Sequence, residues 1–201
     1  MKPLMPSIPH AIIMVGIPGA GKTTFSTRFA ETFGTPLLNL PRLKDEMGLD
    51  ARQTAQFFET VVKEIAKTGQ TIVIEGFADT KKERDSLERV FVGLKYTPLF
   101  VWVQTDTTES MKRATSSRAG VDRLSDAEFN AQLDAFEPLG EKDRFVVISG
   151  RHAYATQLKV VLKQMAAGIV RPKAKKVSPT DRQSRPRGRV ISVNVKNIQK
   201  R

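Results

Sequence analysis

Gly16-Ile17-Pro18-Gly19-Ala20-Gly21-Lys22-Thr23-Thr24 is the stretch that decides the fold. An apolar run, Ala11-Ile12-Ile13-Met14-Val15, precedes it, and Phe25, Phe29 and Phe33 follow at helical steps of four. The spacing is G-x-x-x-x-G-K-[ST] between a strand and a helix, the setting in which that pattern works as a phosphate-binding loop. The glycines let the loop curl with backbone N–H groups pointing inward, and the following helix N-terminus completes an anion site. Gly16, Pro18, Gly19, Ala20, Gly21, Lys22, Thr23 and Thr24 are therefore read as binding ATP. Lys22 is expected at the β- and γ-phosphates and the Thr23 hydroxyl at Mg²⁺.

Outward from the loop, apolar strands alternate with amphipathic helices. Strand one is expected at 11–16 and helix one at 21–33, closed by Gly34. A short apolar segment, 37–40, reads as strand two, and 41–50 reads as a polar stretch. Phe57, Phe58, Val61, Val62 and Ile65 define a helix over 52–67, stopped by Gly69. The β-branched run Thr71-Ile72-Val73-Ile74 is a buried strand. A helix over 80–94, a strand over 98–103 and a helix from Asp106 to Ser117 follow. Ser125 and Glu128 form a capping box that opens another helix. Phe145-Val146-Val147-Ile148 is a fifth strand, and a last helix ends at Gly168. Continuous apolar strands separated by helices predict a parallel sheet covered on both faces, an α/β three-layer sandwich. Ligands of such sheets bind at the carboxyl ends of the strands, where Gly16, Asn39 or Arg42, Glu75 and Asp106 fall.

The charge is uneven. The 201 residues carry a net +12, but 171–201 hold eleven Lys/Arg against one acid, while the first 170 residues hold 22 basic and 20 acidic residues. The chain thus divides into a nearly neutral folded domain, 1–168, and a basic tail, 169–201, expected to be disordered. Lys/Arg clusters bind phosphate backbones through counterion release, so the tail is expected to make at most non-specific RNA contacts, and it lacks aromatics for base stacking. Cysteine is absent, which excludes disulfides and thiolate metal sites. No run of eighteen apolar residues is present, so no membrane span is expected and the cytoplasm is the default location. His10 and His152 have no sequence neighbours that suggest a metal site or a nucleophile.

Two further features carry chemistry. Glu75 ends a buried strand beside the loop, where an acid holds Mg²⁺ directly or through water. Arg113, Arg118 and Arg123 flank or precede a Gly-containing loop at 118–124. Guanidinium groups on a closing lid neutralise charge on a transferring phosphoryl group, so Arg118 and Arg123 are read as catalytic and Arg113 as a lid residue.

The strings GIPGAGKTT, MKRATSSR and FNAQLDAFEPL, with an acid after an apolar strand, resemble the small P-loop kinases. The similar group is the polynucleotide-kinase-like and zeta-toxin-like set, generically labelled AAA family ATPases, and the likeness covers about residues 10–165. It implies an adenylate-kinase-like fold with sheet order 2-3-1-4-5. The family's R-x-x-x-R is approximated by Arg113 and Arg118, which have four intervening residues. Its D-x-x-R after strand two, in which the Asp serves as base, becomes Asn39-Leu40-Pro41-Arg42. Arg42 fits as an acceptor contact, but an amide is no useful base. Asp45 is expected to substitute, with Asp79 the other candidate. The resemblance thus implies transfer of the γ-phosphate of Mg·ATP to an unidentified hydroxyl acceptor, such as a nucleic-acid 5′-end, nucleoside or small molecule. The alternative is a catalytically weak ATP-binding protein that binds RNA or a partner through its tail.

Overall fold

A computed structural model describes residues 8–116, 123–140 and 143–167. Strand β1 (His10–Val15) is buried at all six positions and runs into the loop and helix α1 (Lys22–Phe33). Strand β2 (Leu37–Asn39) passes directly into helix α2 (Leu40–Met47), followed by α3 (Ala51–Ala66). Then come β3 (Ile72–Glu75), α4 (Lys81–Gly93), β4 (Thr97–Gln104), α5 (Thr107–Thr115), α6 (Asp126–Ala135), β5 (Phe145–Ser149) and α7 (Tyr154–Ala166). All strand pairs are parallel and the order is β2-β3-β1-β4-β5. This is the P-loop NTPase α/β fold that the sequence predicts.

Alternation along β1 splits the core into two layers. Ala11, Ile13 and Val15 pack with Leu40, Phe58 and Phe91 under α2, α3 and α4. Ile12 and Met14 pack with Phe25, Phe29 and Val161 under α1 and α7. Phe25 and Phe29 are almost wholly buried, and such burial stabilises by about 1.5–3 kcal/mol per side chain. One sheet with a helical layer on each face makes both sets of helices start at the same strand ends, which is where the loop lies.

One difference from the sequence reading bears on the site. Residues 40–47, read as strand end and polar stretch, form α2. Asn39 caps it, accepting a hydrogen bond from the Arg42 N–H at 3.1 Å, Pro41 occupies its first turn, and Gly48 closes it at φ +63°. These are ordinary start and stop signals, but eight residues with one buried position, Leu40, carry little periodicity. The helix over 106–117 ends at Thr115. Gly168, Arg118 and the basic tail lie outside the described residues. Among the described residues, no helix is long and apolar enough to cross a membrane.

Candidate active site

The loop is built by backbone conformations that only glycine adopts freely. Gly16, Gly19 and Gly21 have φ of +145°, +75° and +109°. A Cβ on Gly19 would also collide with the Ser110 carbonyl of α5. Gly21 is the N-cap of α1 and offers no side-chain cap, so the first N–H groups of the helix face the loop without a side-chain acceptor there. The Lys22 ammonium donates to the Gly16 carbonyl at 2.5 Å and the Ile17 carbonyl at 3.2 Å, which holds it across the loop. Pro18 and Ala20 shape the turn, in which the Ala20 N–H donates to the Ile17 carbonyl at 3.2 Å. Thr24 is exposed at the cleft beyond it.

Glu75, buried as the last residue of β3, is the hub on the other side of the loop. Its Oε1 accepts from the Thr23 hydroxyl at 2.6 Å, and its Oε2 from the Ser26 hydroxyl at 3.0 Å and the Asn39 amide at 3.4 Å. The sequence reading paired Thr23 with Glu75 by role and missed Ser26, which lies one turn along α1 on the same face. Asn39 is the register partner of Glu75 across β2 and β3. An aspartate at 39 would set a second carboxylate on Glu75, whereas the amide caps α2 with its oxygen and donates to Glu75 with its nitrogen. Hydroxyl and carboxylate are hard oxygen donors of the kind Mg²⁺ takes alongside phosphate and water. No group of three or more His, Asp or Glu able to hold a metal occurs among the described residues.

On the opposite flank, a cleft of about 420 Å³ is lined by Gly21, Thr24, Arg28, Arg113, Gly150 and Tyr154, among others. Gly150 was missed entirely. Its N–H donates to the Gln104 carbonyl at 2.8 Å, and a Cβ there would run into the Ala20 carbonyl and the Thr105 hydroxyl. Thr105 in turn donates to the Ala20 carbonyl at 2.9 Å. Arg113 pairs with Glu109 at 2.9 Å and donates to the Gly150 carbonyl at 3.2 Å, tying α5 to this turn. The Tyr154 hydroxyl donates to the Arg28 carbonyl at 3.2 Å, with the Thr32 hydroxyl 2.8 Å away, and the Arg28 guanidinium lies 5.9 Å from the ring centroid. His152 is exposed and lines the same cleft. No motif flagged this segment; its signal was a glycine and an aromatic just past a fifth apolar strand.

The remaining expected residues scatter. Arg123 donates through Nε to the Thr115 carbonyl at 2.5 Å, capping the end of α5. Arg42 pairs with Glu46 at 2.7 Å on the exposed face of α2. Asp45 is exposed on the same helix, and its side chain makes no hydrogen bond or ion pair among the described residues. Asp79 stands in the turn after β3. Burial raises its carboxyl above the usual aspartate range, the Lys22 charge opposes that rise, Glu83 adds to it and Arg84 opposes it. Buried Arg84 donates to the carbonyls of Ala78 and Asp79, both at 3.1 Å, and so fixes the turn that carries Asp79.

The chain belongs to the AAA domain family, whose profile matches residues 12–139. An adenylate kinase from Bacillus licheniformis is 28% identical over 126 residues, 53% of this chain and 58% of that protein. The chain thus matches little more than half the length of this curated relative. A gluconokinase from Sinorhizobium meliloti 1021 superposes with a TM-score of 0.58 at 19% identity, over 80% of this chain and 93% of its own. Kti12 from Chaetomium thermophilum, solved with ADP-AlF3, gives 0.59 at 15% identity over 80% and 99%. These two structures share the fold with this chain.

Proposed function

We propose that this protein is a Mg·ATP-dependent phosphotransferase that passes the γ-phosphate to a hydroxyl acceptor. The observation that carries it is the Thr23–Glu75 hydrogen bond beside a loop whose lysine lies across the phosphate cradle. In this reading Gly16 to Thr24 hold the phosphates, and Thr23 and Glu75 hold Mg²⁺, which supplies charge neutralisation when bound. Arg113, Gly150 and Tyr154 border the nucleoside. Arg118 and Arg123 supply positive charge from the lid, and Arg42 meets the acceptor. Asp45 or Asp79 receives the acceptor proton, and the Lys22 charge that acts on Asp79 supports the latter. The relative named adenylate kinase and the neighbour named gluconokinase support phosphoryl transfer as the reaction class and leave the acceptor open.

The test is ADP production from Mg·ATP with a panel of 5′-hydroxyl oligonucleotides, nucleosides and sugars. Wild type is expected to release ADP with at least one acceptor, and Lys22→Ala to lose about 10²–10³-fold of that rate. Wild-type ATP binding that Lys22→Ala leaves intact, with no transfer to any acceptor, would sink the reading.

A further inference from the structure

One corner of the sheet is left open. Along β4, Phe100, Trp102 and Gln104 alternate onto the face that α2, α3 and α4 cover. Their register partners in β5 are Phe145, Val147 and Ser149. Phe100 and Phe145 pack with the core on that face. Toward the carboxyl ends of the two strands the cover stops. Trp102 is only partly buried, Gln104 is exposed, and Val147 is 41% exposed in the middle of its strand. By contrast, β1 and β3 are buried at every position. Parallel sheets are ordinarily covered on both faces, so an open corner over an indole is a place for a ligand.

The opening is a cavity of about 450 Å³, a size within the range of roughly 300–1,000 Å³ typical of small-molecule sites. Trp102 and Phe136 both line it, with ring centroids 6.5 Å apart. Phe145 meets Trp102 at 5.6 Å and 70°, an edge contact that fixes the plane of the indole. Ile17, the second residue of the phosphate loop, forms another wall. The polar lining is unengaged. Among the described residues, the Trp102 indole N–H, the Gln104 amide and the Arg151 guanidinium make no hydrogen bond or ion pair. Asp106 accepts the N–H groups of Thr108 and Glu109 through Oδ1, at 3.0 and 3.3 Å, which leaves Oδ2 available. The turn after β5 parts this cavity from the cleft beside Tyr154. Ser149 and Arg151 line the one, and Gly150 and His152 line the other.

An indole stacks on planar π-systems, and base–aromatic stacking is a common source of affinity. A cation and a carboxylate on one rim suit a ring edge that carries both acceptors and donors, and together they leave no net charge for the ring to balance. Guanine has that edge: its O6 and N7 accept from a guanidinium fork, and its amino group donates to a carboxylate. We propose that this corner binds a guanine nucleoside, with the base stacked on Trp102 and its edges read by Arg151 and Asp106, in a site separate from the cleft beside Tyr154. The site stands apart from the kinase reading, and neither depends on the other.

Trp102 is the single tryptophan of the chain, so its fluorescence reports on this corner. The full chain is titrated with guanosine, alone and with excess Mg²⁺ and the β,γ-imido analogue of ATP, and with ribose as the ring-free control. Guanosine is expected to quench Trp102 saturably under both conditions, and ribose to leave the signal unchanged. Arg151→Gln is expected to bind guanosine about tenfold more weakly, which is about 1.4 kcal/mol. Absence of saturable quenching overturns the proposal, as does quenching by ribose or an unchanged affinity in Arg151→Gln. Guanosine quenching that the ATP analogue abolishes overturns it too, because the corner would then be part of the ATP cleft. Calorimetry extends the test to Trp102→Leu, in which guanosine affinity is expected to fall at least about tenfold; an unchanged affinity removes the stacking. Thermal unfolding checks that Trp102→Leu folds, and Arg151 is exposed, so Arg151→Gln decides the matter if Trp102→Leu does not.

Discussion

The two flanks of the phosphate loop are built on different principles. The nucleotide flank is made of backbone: three glycines with positive φ, the exposed start of α1, and Gly150 pressed against Ala20. The other flank, the acceptor side of the proposed reaction, is made of side chains on short connections: Asn39 donates to Glu75, and Asp79 follows on the next turn. Backbone sites tolerate almost no substitution, because a Cβ has nowhere to go. Side-chain sites can be retuned one residue at a time, so one loop can serve many acceptors.

Gly150→Ala attacks the nucleotide flank hardest. The new methyl group must displace the Ala20 carbonyl or Thr105, and the expected outcome is loss of the thermal stabilisation that ATP confers. For wild type at a hundredfold excess over Kd that stabilisation is about 2.7 kcal/mol, read as a shift in Tm. An undiminished shift would show that the turn after β5 does not shape the loop.

Glu75→Gln crosses the border between the flanks. Thr23 and Ser26 keep a hydrogen-bond acceptor, but the negative charge is gone. Turnover is expected to fall by about 10²-fold, with ATP affinity in the absence of Mg²⁺ little changed. Equal losses with and without Mg²⁺ would make Glu75 a structural residue.

Asn39→Asp tests why an amide, and not a carboxylate, stands beside Glu75. The cap on α2 survives, yet a second carboxylate then faces Glu75. We expect a loss of roughly 1.4 kcal/mol in urea unfolding at neutral pH, the worth of about one pKa unit. The loss shrinks as the pH falls, when a proton shared by the two acids removes the repulsion.

The smallest effect belongs to Asp79→Asn. A carboxyl whose pKa is raised by folding destabilises the native state above its folded pKa and costs nothing below its unfolded pKa. Asp79→Asn should therefore raise Tm slightly at neutral pH, and the difference should vanish on acidification below the ordinary aspartate range. A constant difference at every pH would assign the effect to packing.

Legibility followed the same division. The loop, the five strands and most helix boundaries were readable because each rests on local rules: glycine at positive φ, β-branched runs, and the capping box at Ser125–Glu128. Helix α2 was missed because an eight-residue helix with one buried position has almost no apolar period. Gly150 and Ser26 were missed because their roles exist only against residues that are 37 or more positions away. Arg123 was recognised as a notable cation, yet where its guanidinium goes, onto the Thr115 carbonyl, depends on how α6 meets α5.

By itself, then, the amino-acid order determined the phosphate cradle, the parallel sheet and the edge at which a ligand binds, since contiguous residues and chain chirality suffice for all three. Tertiary structure alone decided which acids reach the loop. Glu75 and Asn39 meet because β2 and β3 are register neighbours, and the turn that carries Asp79 is fixed by Pro41 at the start of α2, by α4 and by the segment after α6. Charges act through space and not along the chain, so the acceptor flank could be read only once the strands were side by side.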